Sequence, residues 1–385
     1  MSPTFNDYFN KIIADYENQN PNIKIKWVDI PYDVAIQKLL SAISADNAPD
    51  VINLSSDFLS KFDSFKILHD FSQDISIDSL KSIYIENALS TGIIDNRVIA
   101  LPWYLNTYSL IYNKELLRQA EMDSVPSSFE EMIDFIKAYK RKTNKYAFYW
   151  NIGKDSFLPM MLESENIPMT RIDGSKALFN STEAKEKIKK WIQLYKDGYL
   201  PKGSVIESAS SVIENYQSGR VAMIFTGPVF LKQIKINSPQ IYEVTEVASP
   251  LTGVTGKHEL AAMSICVLKN SINIKEASKF ALYVTNSKNQ TEFCKLATIF
   301  PSSKESFSDE YFTSHTGDLE SKARVMGAKL LPDAVRLRRY LLHPKFDLLK
   351  DSFEEAIQKS CLSGVDIDFA LEKAVVAWNK ILKED

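Results

Sequence analysis

Apolar residues recur at helical spacing near the start of the chain. Phe5, Phe9, Ile12, Ile13 and Tyr16 fall on one face and predict an amphipathic helix over about 5–18. Asn20-Pro21-Asn22 ends it, and the period then drops to two. Ile23, Ile25 and Trp27 alternate with Lys24 and Lys26 as in a half-buried strand. A second helix is predicted over 33–45 with Ile36, Leu39, Leu40 and Ile43 inward, followed by a short strand in Ala48-Pro49-Asp50-Val51-Ile52-Asn53-Leu54. This alternation of helix and strand predicts an α/β fold with right-handed crossovers and a mostly parallel sheet. Ligands of such sheets lie at the carboxyl ends of strands, where Ser55, Ser56 and Asp57 fall. Asp57 reads equally well as the N-cap of a helix opening at Phe58.

The stretch from Ala100 to Leu117 carries the densest chemistry. Pro102 has no N–H to give a ladder, so the run around it is expected to stop at an edge or bend, with an irregular segment holding Trp103, Tyr104 and Asn106. Those aromatics read either as core residues or as the flat walls of a site. Tyr108 to Tyr112 is a buried strand, and Asn113 turns it into a helix.

Further on, Ser127-Ser128 with Glu130-Glu131 is a doubled capping box ahead of a helix to about 141. Tyr146 to Trp150 is a strand broken by Asn151-Ile152-Gly153, which leaves Tyr149 and Trp150 near its carboxyl end. A helix over 182–197 turns Ile188, Trp191, Ile192 and Tyr195 inward, and its lysines Lys185, Lys187, Lys189 and Lys190 read as a solvated face. Val221 to Phe225 is a strand that passes through Thr226-Gly227-Pro228 into another helix. An extended segment over 243–248, a break at Pro250 to Gly253, a strand from Met263 to Leu268 and helices over 274–286 and 287–298 follow. The rest is helical, most clearly at 346–359 and 368–382. These elements group into two α/β halves with a helical tail, between which the chain passes several times.

Composition narrows the class. The chain has 385 residues, more than one ordinary core needs, and a net charge of −3, which leaves no basic footprint for nucleic acid. Its apolar runs fall far short of the roughly 20 residues of a membrane span. Cys266, Cys294 and Cys361 have no metal-ligand spacing, and His69, His258, His315 and His343 are scattered, so no metal or other cofactor is expected. No nucleophile elbow, phosphate loop or HExxH helix is present. No leader-like segment, charged and then apolar, opens the sequence.

Four ordered segments carry a resemblance: Tyr16-Glu17 with Asn20-Pro21-Asn22-Ile23-Lys24-Ile25; Ala48-Pro49-Asp50-Val51-Ile52; Leu101-Pro102-Trp103 with Tyr112-Asn113-Lys114-Glu115-Leu116-Leu117; and Gly219-Arg220-Val221-Ala222-Met223 with Gly227-Pro228. Lys275 to Phe280 and Ala370-Leu371 add to it. The chain resembles the extracellular solute-binding proteins of carbohydrate ABC transporters, the family of maltose-binding protein. The resemblance implies a two-lobe periplasmic-binding-protein type II fold. Lobe 1 would hold 1–109 and 250–303, and lobe 2 would hold 110–249 and 304–385. Hinge closure would trap a mono- or oligosaccharide. It further implies delivery to membrane permease subunits, a monomer at the outer face of the membrane or in the periplasm, and no catalysis. A leader and a first strand, or a lipid anchor, would precede the helix at Phe5, since Met1-Ser2-Pro3-Thr4 runs straight into it.

Carried over by motif, Asp57 stands where the family often has an acidic sugar ligand, beside Ser56. Asn106 stands where maltose-binding protein has a carboxylate. Trp103 and Tyr104 would wall the hinge side, while Tyr149, Trp150 and Asp155 would be contacts at a strand end of lobe 2. Gly227-Pro228 matches a Gly-Pro pair that Trp commonly follows; here Val229 follows, which removes a stacking platform. Leu260 to Met263 is bulkier than the glycine-rich loop of relatives and offers Met263, and the segment around Arg338 and Tyr340 offers Arg338. A sugar needs aromatic planes and directional polar groups, and each polar group left unpaired by a wrong ligand costs about 1–3 kcal/mol. The alternatives are a same-fold binder of a polyamine or glycerol phosphate ester, or a glycoside hydrolase using Asp57 and Asp155.

Overall fold

The computed structural model describes residues 4–30, 32–297 and 299–383. Met1-Ser2-Pro3 and Thr298, the expected end of one helix, lie outside the described residues. Along the chain the sheets are built from β1 (Val51–Ser55), β2 (Leu101–Thr107), β3 (Ser109–Asn113), β4 (Tyr146–Tyr149), β5 (Val221–Thr226), β6 (Thr245–Ala248), β7 (His258–Val267), β8 (Phe300–Pro301) and β9 (Ala334–Val335). The helices that matter here are α1 (Thr4–Gln19), α2 (Tyr32–Ser44), α3 (Phe129–Thr143), α4 (Thr182–Lys196), α5 (Gly203–Ile206), α6 (Ile274–Val284), α7 (Ser287–Ala297), α8 (Phe346–Leu362) and α9 (Ile367–Ile381). The chain divides into unit 1, residues 1–106 and 261–314, and unit 2, residues 107–260 and 315–385.

In unit 1 the strand order is β1-β7-β2-β8. β1 runs antiparallel to β7, and β8 antiparallel to β2, so the expectation of a mostly parallel sheet fails. Part of the reason is that β2 and β7 are the segments on which the chain leaves and re-enters the unit, so local helix–strand crossovers do not set their directions. The Ile23–Trp27 alternation is realised in burial but not as a strand. Trp27 stacks on Phe9 at 3.9 Å and donates to Asn6, while the N–H of Ile25 donates to Glu17. The segment's inward residues pack on α1, and it joins no ladder among the described residues.

Pro102 is inside a regular seven-residue strand, contrary to the expected break. On the β8 side no ladder partner among the described residues stands opposite it, since β8 pairs only with Tyr104 and Leu105, and the Pro102 carbonyl accepts Ser302 Oγ at 2.5 Å. The pleat sends Trp103 into the core of the unit. There its ring stacks on Phe293 of α7 at 4.4 Å and 20° and meets Phe5 and Phe9 of α1 at 6.0 and 5.5 Å. A second apolar cluster joins Leu39, Ile52, Leu54, Leu59, Phe62 and Cys266. Cys266 and Cys294 are free and buried, small apolar residues whose thiols burial pushes well up; Cys361 is free and partly buried.

In unit 2 the order is β4-β5-β3-β6, with β4 parallel to β5 and β3 antiparallel to both its neighbours. All six residues of β5 are buried. Of the doubled capping box only the Glu131 half forms: Ser128 Oγ accepts the N–H of Glu131, and the Glu131 carboxylate accepts the N–H of Ser127, while the Glu130 carboxylate accepts from Lys187 and Lys190 instead. The lysines of α4 are not a merely solvated face. Lys187 and Lys190 reach Glu130 of α3 at 2.7 and 2.8 Å, and Lys185 and Lys189 reach Glu372 and Asp368 of α9 at 2.7 and 2.8 Å. Each such pair is worth about 0–1 kcal/mol, but the set fixes α4 against two helices. Trp378 of α9, fully buried, donates to the Leu349 carbonyl of α8 at 2.7 Å and locks the helical tail.

Candidate functional site

In unit 1, β1 ends at Ser55, and Ser55 rather than Asp57 is the cap: its Oγ accepts the Asp57 N–H at 3.4 Å and opens a short turn, Ser56–Phe58. Ser56 is buried and Asp57 partly buried. Register pairs Ser55 with Met263, so Ser56, Asp57 and Met263 gather at the carboxyl end of β1. The expected loop at Leu260–Met263 is instead part of the ten-residue strand β7, whose Met263–Val267 half pairs with β1 and whose start, His258 and Glu259, pairs with β9. Asn106, partly buried, is the last residue of unit 1 on β2; Ala261 reopens the unit on the neighbouring β7. Tyr104 is 2% exposed. Trp103, at 0%, stands apart from this group: it is a core ring, and Phe293 covers one of its faces.

In unit 2, Tyr149 is buried and donates to the Glu207 carboxylate at 2.7 Å. Burial first, and that carboxylate second, hold its phenol protonated far up the scale. Trp150 is 1% exposed, packed on Trp191 at 4.4 Å and parallel to Phe157 at 6.1 Å and 5°. After it the chain makes a tight loop over residues 151–156. Asn151 Nδ2 donates to the carbonyls of Lys154 and Glu207, the Lys154 N–H donates to Val205, and the Ser156 N–H donates to Glu354 at 3.0 Å. Gly153 touches α5 so closely that a Cβ would lie 2.2 Å from the Val205 carbonyl oxygen. Asp155 sits at φ 51°, a left-handed conformation Asp tolerates, and its carboxylate meets Lys350 of α8 at 2.6 Å. Burial pushes the Asp155 carboxyl up, but the Lys350 ammonium outweighs it and the group titrates below its ordinary range. Glu354 is 8% exposed, and burial raises its carboxyl despite Lys350 at 3.9 Å. The polar loop after β4 is thus fastened to the helical tail, and Asp155 already has a strong partner.

Gly227 and Pro228, both buried, follow β5. Arg338, partly buried, has its Nε 3.6 Å from Glu259 of β7. Glu259 is 3% exposed and accepts the N–H groups of Leu337 and Arg338 at 3.2 and 3.3 Å. β9 lies parallel beside His258 and Glu259, which brings the Arg338 segment to this strand. Trp150 Nε1, Asn151 Oδ1, Thr107 Oγ1 and Ser109 Oγ are buried polar atoms with no hydrogen-bond partner among the described residues.

Sequence reasoning missed Glu259, Lys350 and Glu354. A carboxylate inside an otherwise apolar strand was a usable signal for Glu259, and the i,i+4 pair Lys350/Glu354 for the clamp. Among the described residues no three His, Cys, Asp or Glu side chains lie close enough to hold a metal ion, and no helix is long and apolar enough to cross a membrane.

The sequence profile of bacterial extracellular solute-binding proteins matches residues 11–317, and the chain belongs to that family. Its backbone is similar to the crystal structure of a Synechococcus sp. MITs9220 protein provisionally named an oligosaccharide periplasmic-binding protein. That likeness has a TM-score of 0.91 and 27% identity and covers 99% of this chain and 97% of the other. A provisionally named binding protein of Brucella abortus (strain 2308) is 25% identical over 382 residues, 98% of this chain and 90% of the relative. The galactooligosaccharide-binding protein of Bacillus subtilis (strain 168) is 25% identical over 287 residues, 72% of this chain and 65% of the relative.

Proposed function

We propose that this chain is the substrate-binding component of an ABC sugar importer, capturing a mono- or oligosaccharide. The observation that carries this reading is the whole-chain likeness to the Synechococcus protein named for oligosaccharide binding, seconded by the Bacillus relative. The local chemistry supports it. Ser56 and Asn106 in unit 1, and Thr107, Ser109 and Asn151 in unit 2, offer hydroxyl and amide groups of the kind that suit a neutral polyol, and the carboxylate Asp155 is already neutralised by Lys350. The protein would bind its ligand and release it unaltered to permease subunits at the outer face of the membrane. Hinge closure over the ligand, the motion the resemblance implies, would signal loading.

A thermal-shift screen tests the reading. A sugar that binds only the folded chain stabilises it by about 2.7 kcal/mol at one hundred times its Kd. At least one mono- or oligosaccharide is therefore expected to raise the melting temperature, while spermidine and glycerophosphoglycerol leave it unmoved. A rise with either of those two and with no sugar would replace the sugar by that solute.

A further inference from the structure

We propose that Tyr108 is the platform on which the apolar face of the sugar stacks, an inference that rests on the sugar-binding reading. Tyr108 belongs to a series of rings within unit 2. Trp191 touches Trp150 at 4.4 Å, and Trp150 is parallel to Phe157 at 6.1 Å. Phe157 meets Tyr108 edge-on at 5.6 Å, and Tyr108 lies parallel to Phe225 at 5.2 Å and 6°. The other four rings are buried, at 0% for Trp191, 1% for Trp150, 8% for Phe157 and 2% for Phe225; Tyr108 is the one that remains partly exposed.

A ring held this way has lost its rotational freedom already, so stacking a ligand on it orders little more. Its face is electron-rich and suits the polarised C–H groups on one side of a sugar ring. The aromatics singled out by motif are poorly placed to stack on a ligand, because Trp103 and Trp150 are enclosed in the cores of their units, and Val229 has no flat face.

The backbone beside Tyr108 adds a second observation. Register pairs Ser109 with Thr226, and Gly227 lies against the Thr107 carbonyl. A Cβ on Gly227 would meet nothing closer than 3.5 Å, and Gly227 is not among the glycines at positive φ. The fold therefore has no need of glycine there, whereas close approach of a ligand to the backbone would.

The test uses the full chain and the tightest saccharide from the screen. Tyr108→Leu keeps bulk against Phe225 and Phe157 but removes the aromatic face, and it is expected to raise Kd at least about tenfold, a change of about 1.4 kcal/mol. Tyr108→Phe keeps the face and is expected to stay within about threefold. Binding by Tyr108→Leu within threefold of wild type overturns the platform and leaves the sugar reading standing. A wild-type chain that binds no saccharide overturns both. Ultraviolet difference spectra do not depend on the Leu variant folding. The sugar should perturb a tyrosine band in wild type that is missing in Tyr108→Phe, and an identical difference spectrum in the two proteins contradicts the inference.

Discussion

Trp103→Ala is expected to destabilise the chain by about 3–5 kcal/mol, the usual cost of emptying a large buried aromatic site. The ring is 0% exposed and meets Phe5, Phe9 and Phe293 within unit 1. α1 and α7 both rest on it, so collapse to fill the hole would mean shifting two helices at once. With native stabilities of only about 5–15 kcal/mol, such a loss approaches unfolding. Denaturant titration of the ligand-free protein measures it. A variant that folds with wild-type stability yet loses its sugar would return Trp103 to the binding site, the role its motif suggested.

Gly153→Ala should be nearly as damaging, for a different reason. The added methyl would stand 2.2 Å from the Val205 carbonyl oxygen and 2.9 Å from the Val205 Cα. Both obstacles are backbone of α5, and the same carbonyl accepts the Lys154 N–H at 2.9 Å. With no flexible side chain to yield, overpacking of this kind costs about 1–3 kcal/mol or more. The loop carrying Asp155 would have to leave its bonds to Lys350 and Ala209, so ligand affinity is expected to fall along with the melting temperature. Gly227→Ala is the control, since the same methyl there meets only ordinary contacts and should leave stability unchanged. Equal melting temperatures for Gly153→Ala and wild type would show that the loop is not seated on α5 as described.

Helices were the most legible part of the chain. The apolar stripe from Phe5 to Tyr16 became α1, and Ser128 capped α3, because both signals are local and satisfied within a few residues. Strand direction was not legible. Whether β7 pairs antiparallel to β1 depends on how often the chain passes between units, which no window of sequence contains. Pro102 shows the same limit: a proline is excluded from a ladder only where a partner asks for its N–H, and on its β8 side the two-residue β8 does not reach it. At the candidate site, states of pairing were not legible in the sequence. Asp155 looked like a ligand group, but Lys350 lies 195 positions away in sequence, and only the fold brings the two to 2.6 Å. Trp150 and Trp103 were legible as large aromatics, not as enclosed ones. Tyr108 was overlooked because its partners, Phe157 and Phe225, come from two distant segments.

The most direct measurement is isothermal titration calorimetry of the full chain against mono- and oligosaccharides, with each sugar recovered afterwards and weighed by mass spectrometry. The account predicts saturable binding of at least one sugar at one site per chain, and recovery of that sugar intact. No heat from any saccharide, or a sugar returned in pieces, would contradict it.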